Sequence, residues 1–224
     1  MYGKRALAVA EPPEGTRRDW RVLLAPGYRT RTVALWVSAF MLLFDIYGLS
    51  SWTPNLMIAR GSGFATGFAF GAILQGVGIV RGLTCGQLAD RGLGQRASLM
   101  TWCGLGAVAA VLMGGLTSVS ADIGAVAAAG FFIIGGQFVL NNLCAMTYPV
   151  HARGTGEGFM LGAGRIGGIL GPYIGGVLLG AFGRTSVPFF AVAAATALAV
   201  ISSAFVTGSP KPRPVVPLAP AKSR

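Results

Sequence analysis

The sequence predicts an all-α fold, an integral membrane bundle of six transmembrane helices, and three observations carry that prediction. Only 11% of the 224 residues are charged while 53% are hydrophobic, against about a quarter charged in an ordinary soluble domain. The apolar residues fall into six blocks of about 20 residues, the length at which a helix rising about 1.5 Å per residue crosses about 30 Å of hydrocarbon. None of these blocks alternates at period two, and a bilayer demands that backbone N–H and C=O groups be satisfied within helices or a closed barrel.

In order, the blocks run from Val33 to Pro54, Phe64 to Thr84, Ala97 to Ser118, Gly124 to Met146, Gly158 to Ala181 and Ser186 to Thr207. The first carries an ionisable residue, Asp45, at its middle. The fourth carries polar Gln137, Asn141, Cys144 and Tyr148 at spacings of four, three and four, one stripe of a helix. The fifth is glycine-rich: Gly164 and Gly168, and Gly167, Gly171 and Gly175, recur at spacings of four and predict a flat strip for close helix contact, with a kink at Pro172.

Net charge is +11, which in a soluble protein would point to nucleic acid. Its distribution excludes that partner. Of the 18 basic residues, 14 lie in the two termini or in the second and fourth connections, which include Arg91, Arg96 and Arg153; the other three connections hold only Arg60 and Arg184. That bias predicts a cytoplasmic (inner) membrane protein with both termini in the cytoplasm. Residues 1–31 read as a basic cytoplasmic leader or linker, 32–208 as the transmembrane domain and 209–224 as a Pro-rich basic tail.

Cys85, Cys103 and Cys144 lie in or beside apolar segments without C-x-x-C spacing, and read as small buried apolar residues. No nucleophile elbow, phosphate loop or metal-ligating cluster is present. The sequence therefore predicts no enzyme, no cofactor and no metal.

Three places carry chemistry. A carboxyl at mid-span costs at least about 2.5 kcal/mol unless it faces protein or water, so Asp45 is either a proton-coupling group or a hydrogen-bonded lock between helices. Its helical face, shared with Met41, Gly48 and Trp52, is expected to line a cavity. Gln137 and Asn141 either bond between helices or contact substrate. Arg165, about 10 Å inside its span at 1.5 Å per residue, either grips a carboxylate bidentately, snorkels, or pairs with Asp45. Arg81 reads as a snorkeller. Trp52 and Tyr148 offer flat contacts to an aromatic ring, or anchor the span ends.

The connection after the second span, Gly86-Gln87-Leu88-Ala89-Asp90-Arg91-Gly92-Leu93-Gly94-Gln95-Arg96, resembles the G-x-L-x-D-R-x-G-x-R signature of major facilitator transporters, with one extra residue before the closing Gly-x-Arg. The resemblance makes Gly86, Asp90, Arg91 and Arg96 a gating motif. The stretches Phe40–Pro54 and Tyr148–Gly156 followed by Gly164–Pro172 resemble the seventh helix, and the tenth-to-eleventh connection with the eleventh helix, of aromatic acid:proton symporters. Together these imply the carboxyl-terminal half of such a transporter, carrying a small aromatic or organic acid with protons and surrounded by membrane lipid. Its expected partner is a missing amino-terminal six-helix half or a second copy. A truncated, inactive fragment and a non-transporting membrane interaction protein are the alternatives.

Overall fold

The computed structural model describes residues 20–61, 63–76, 94–116 and 119–206. Within them lie six α-helices: α1 (Arg29–Ala59), α2 (Phe64–Gly76), α3 (Gln95–Gly115), α4 (Val119–Thr147), α5 (Arg153–Phe182) and α6 (Val187–Ser203). Short 3-10 turns, Trp20–Leu24 and Val150–Ala152, precede α1 and α5. All but α2 are long and apolar enough to cross a membrane; α2 is apolar, and its expected continuation to Thr84 lies outside the described residues. The chain is a multi-pass membrane protein with an all-α bundle.

The helices overrun several of the predicted blocks. α1 starts at Arg29 and continues past Pro54 to Ala59, because an apolar block marks the hydrocarbon while the helix extends into the interface. The proline removes one N–H, a defect that bilayer helices tolerate when neighbours serve the freed carbonyl. α1 and α5 stop at glycines in the left-handed region, Gly61 (φ 97°) and Gly183 (φ 61°). The Gly183 N–H returns to the Leu179 carbonyl at 2.9 Å, closing the last turn of α5.

α1 is the axis of the bundle, packing on α2, α4, α5 and α6, while α3 covers α4 and α6. Its seams differ in chemistry. Against α5 the contact is backbone to backbone: a Cβ on Gly167 would strike the Phe40 carbonyl and one on Gly171 the Phe44 carbonyl, while Gly164 faces Leu43 and the Ala39 carbonyl. The predicted strip therefore does lie against a helix, and that helix is α1. Against α6 the seam is polar, with Ser38 Oγ 2.7 Å from Ser202 Oγ and Thr196 Oγ1 2.7 Å from Asp45 Oδ2. Between α3 and α4 it is aromatic, with the Trp102 ring 4.9 Å from Phe131 and 5.5 Å from Phe132.

One end of the bundle gathers the starts of α1 and α5 with their basic residues, and here we call it the basic end. There Thr32 Oγ1 donates to the Leu23 carbonyl at 2.7 Å and lies 2.8 Å from the Tyr148 hydroxyl. The single threonine proton is committed to Leu23, so Tyr148 is the donor. Burial pushes the Tyr148 phenol up to about 12. A folded pKa raised above that of the unfolded chain stabilises fully below about pH 10 and loses that contribution as pH rises toward 12. Tyr148→Phe is expected to flatten the fall in thermal midpoint over that alkaline window, measured in detergent; an unchanged slope would assign the alkaline loss to other groups.

At the opposite end Arg60 is a strut. Its Nε donates to Thr185 Oγ1 (3.3 Å) and its Nη1 to the Leu116 carbonyl (3.5 Å) and Asp122 Oδ1 (3.4 Å), with the guanidinium 5.0 Å over the Phe189 ring. Three connections are fastened by this one side chain, which is only 15% exposed. Removing it leaves a buried carboxylate and a carbonyl short of donors, at about 1–3 kcal/mol for each group. Arg60→Ala should therefore lower the thermal midpoint clearly, and Asp122→Asn less; equal midpoints for Arg60→Ala and wild type would show the strut to be idle.

Candidate functional site

Asp45 lies wholly buried between α1 and α6. Its Oδ2 meets Thr196 Oγ1 at 2.7 Å, and Oδ1 has no hydrogen-bond partner among the described residues. The hydroxyl of Thr196 also lies 2.8 Å from the Val192 carbonyl, so its one proton faces two acceptors. The face that was expected to line a cavity instead points into the bundle: Gly48 and Trp52 on it are buried as well. A wheel gives the angle of Asp45 but not which helix stands there, and the neighbour is α6.

Trp52 is turned onto α5. Its Nε1 donates to the Pro172 carbonyl at 3.0 Å, and its ring fills the space left by the missing side chains of Gly175 and Gly48. The ring is 8% exposed, so in this arrangement it seals the α1–α5 seam. Gln137 is buried too, its Nε2 donating to Asn141 Oδ1 at 2.9 Å while its Oε1 has no partner among the described residues. Cys144 and Tyr148, farther along the same stripe, are also buried. The stripe faces inward, Asn141 is half-buried at its edge, and the adjacent Asn142 is exposed.

Arg165 is exposed on α5, and its Nη1 donates to the Tyr47 hydroxyl at 2.7 Å. Tyr47, 39% exposed, sits with its ring against Gly168, whose lack of a side chain lets the phenol reach across the seam. Two positions along a helix turn about 200°, so Tyr47 and Asp45 leave α1 on opposite sides. The expected option of an Arg165–Asp45 pair is thus replaced by Arg165–Tyr47. The structure brings together Tyr47 with Arg165, Asp45 with Thr196 and Trp52 with Pro172, and it does not gather all the predicted site residues around one cavity. Of the gating motif, Gly86, Asp90 and Arg91 lie outside the described residues; Arg96 is half-buried in the first turn of α3.

Tyr47, Asn142 and Thr196 were not singled out from the sequence. For Tyr47 the sequence offers only its place on the reverse of Asp45; its reach to Gly168 and Arg165 follows from α1 lying against α5. A guanidinium held by a hydroxyl rather than a carboxylate keeps its charge unneutralised and its remaining N–H donors exposed, which suits a planar anion.

The sequence profile of the Major Facilitator Superfamily matches residues 35–223. The chain is 35% identical over 172 residues to the gallate transporter of Pseudomonas putida, covering 76% of this chain and 38% of that protein. It is 34% identical over 164 residues to the 4-hydroxybenzoate transporter PcaK of Pseudomonas aeruginosa, covering 73% and 37%. The 3-(3-hydroxy-phenyl)propionate transporter of Escherichia coli is 33% identical over 197 residues, covering 86% and 47%. The chain thus spans less than half the length of each of these relatives. They are transporters, and the chain is not an enzyme. With a bundle of apolar helices and a match over most of its length, the chain belongs to the major facilitator superfamily.

Proposed function

We propose that the chain forms the carboxyl-terminal half of a proton-driven carrier for aromatic carboxylates in the cytoplasmic membrane, with the basic end and both termini in the cytoplasm. The observation that carries the reading is Arg165, exposed within a transmembrane helix and oriented by Tyr47 rather than neutralised by a carboxylate. The relatives' substrates, gallate and 4-hydroxybenzoate among them, supply the class. A planar aromatic acid offers the carboxylate for the guanidinium and a flat ring for the apolar surroundings.

A transporter of this superfamily places its substrate between two halves near the bilayer midplane. The partner in this reading is an amino-terminal six-helix half or a second copy. α5 is the least covered of the long helices, with 17% of its span buried against 44–61% for the others, which supports it as the face where that partner sits. Proton coupling is assigned to Asp45, because a proton on its carboxyl would donate to Thr196 Oγ1 and free the threonine proton for Val192, satisfying both contacts at once. The limited share of the relatives that is spanned favours a second reading, an inert half when nothing completes it.

Reconstitution separates the two. Labelled 4-hydroxybenzoate uptake under an inward proton gradient is measured with the chain alone and with an amino-terminal half of a relative. Uptake in either setting supports the carrier reading. In the assembly that transports, Arg165→Ala is expected to reduce uptake about 100-fold, the scale of a lost charged hydrogen-bond pair, and Arg165→Lys to recover only part of it, since lysine cannot form the planar fork. Full uptake by Arg165→Ala would remove the guanidinium from the substrate site; no uptake in any assembly would leave the inert half.

A further inference from the structure

The two arginines that break the charge bias meet in one place. Arg60 and Arg184 lie 124 positions apart, yet both line a cavity of about 460 Å³ at the end of the bundle opposite the basic end, together with Thr185, Ser186 and Leu116. Arg60 reaches it from the end of α1, and Arg184 with the two hydroxyl residues comes from the α5–α6 connection. Thr185 Oγ1 accepts from Arg60 Nε, which leaves its own proton available to a ligand. Ser186 stands at the start of α6 without making a side-chain cap there. Asp122 offsets one positive charge through Arg60, and Arg184 is exposed.

The surroundings decide what this cavity takes. It opens where α3 ends and α6 begins, and α3 packs on α4 and α6. Tyr47 and Arg165 occupy the α1–α5 seam instead. In the carrier reading the acid runs along the α1–α5 seam, and this cavity lies apart from it, at the end where α3 meets α6. Large apolar side chains stand exposed beside the cavity, Phe182 at 62% and Phe190 at 46%, the latter with its ring against Gly114 of the cavity wall. A charged, hydroxyl-bearing cavity at the end of transmembrane helices, rimmed by exposed aromatics, matches a lipid: acyl chains along the helices and the headgroup at their ends.

We propose that this cavity binds the phosphate of an acidic phospholipid headgroup, with Arg184 and the Thr185 and Ser186 hydroxyls as its ligands and Arg60 as the buried positive support. Because the fourteen basic residues of the termini and the second and fourth connections also attract acidic lipid, the test separates the two ends. The purified chain is titrated with phosphatidylglycerol, with phosphatidylcholine and with inorganic phosphate, counting retained lipids by native mass spectrometry and following thermal stability. Arg184→Gln is compared with Arg153→Gln at the basic end; both side chains are exposed, Arg153 donating from Nε to the Tyr148 carbonyl at 3.2 Å, and the thermal midpoint of each variant checks that it is folded.

The expected result is that wild type retains one phosphatidylglycerol about tenfold more tightly than phosphatidylcholine, that Arg184→Gln loses this preference, and that Arg153→Gln keeps it. Equal retention in wild type and Arg184→Gln overturns the site. Inorganic phosphate displacing the lipid at millimolar concentration overturns the lipid assignment in favour of a free-anion site. These readouts need no transport activity, so they stand apart from the carrier reading.

Discussion

Replacing Gly167 by leucine is expected to part α5 from α1 and to leave too little folded protein to purify. The Cβ alone would occupy the position of the Phe40 carbonyl and crowd the Phe40 Cα, and neither backbone atom can rotate out of the way. Gly171 is similarly placed against the Phe44 carbonyl and the Gly48 nitrogen. Relief requires the helices to separate, which would also uncover Trp52 and release its hydrogen bond to Pro172. We expect a cost of more than about 4 kcal/mol, at the upper end for single substitutions and typical of over-packing without room to relax. Gly176→Leu is the matched control, since nothing lies within 4 Å of a Cβ there. It should change stability by less than about 0.5 kcal/mol. Size-exclusion profiles and thermal midpoints of the two variants decide; a well-folded Gly167→Leu with the midpoint of Gly176→Leu would show that the seam yields.

Asp45→Asn is expected to uncouple the carrier without unfolding it. The amide oxygen can still accept from Thr196, so the α1–α6 seam keeps its contact, but no proton can be taken up or released at this position. In the assembly that transports, exchange of labelled for unlabelled substrate should continue, whereas accumulation driven by a pH gradient should fall at least about tenfold, a difference of about 1.4 kcal/mol or more. Thr196→Val supplies the converse, removing the hydroxyl and keeping the carboxyl. If Asp45→Asn accumulates substrate as wild type does, the carboxyl is only a lock between helices and the proton is carried elsewhere.

Much of the architecture was legible because bilayer chemistry writes it in long apolar blocks. The α5 glycine strip was legible for a similar reason, since few other patterns place bare backbone along one face, although the sequence did not say that α1 would lie upon it. The site was harder to read. The periodicity of Gln137, Asn141 and Cys144 is the same whether the stripe looks inward or outward, and in a membrane polar residues occupy both faces. Asp45 shows the same limit: its partner Thr196 is 151 positions away, and a helical wheel contains no information about a neighbour so distant. Arg165 was correctly placed within a helix, but its choice of Tyr47 over Asp45 follows from where α5 crosses α1.

The crossing of α1 and α5 also bears on how the chain enters the bilayer. α5 is the least hydrophobic of the five long apolar helices, and it carries an arginine whose insertion at the centre of a lone helix costs about 2.5–3.5 kcal/mol. Left in lipid by itself it would present bare glycine backbone and an unpaired guanidinium to hydrocarbon. α1 answers both, with a carbonyl-lined groove for the glycines and the Tyr47 hydroxyl for Arg165. Residence of α5 in the membrane is therefore a property of the pair, and biogenesis has an order: α1, made before α5, must wait, correctly inserted, to receive it.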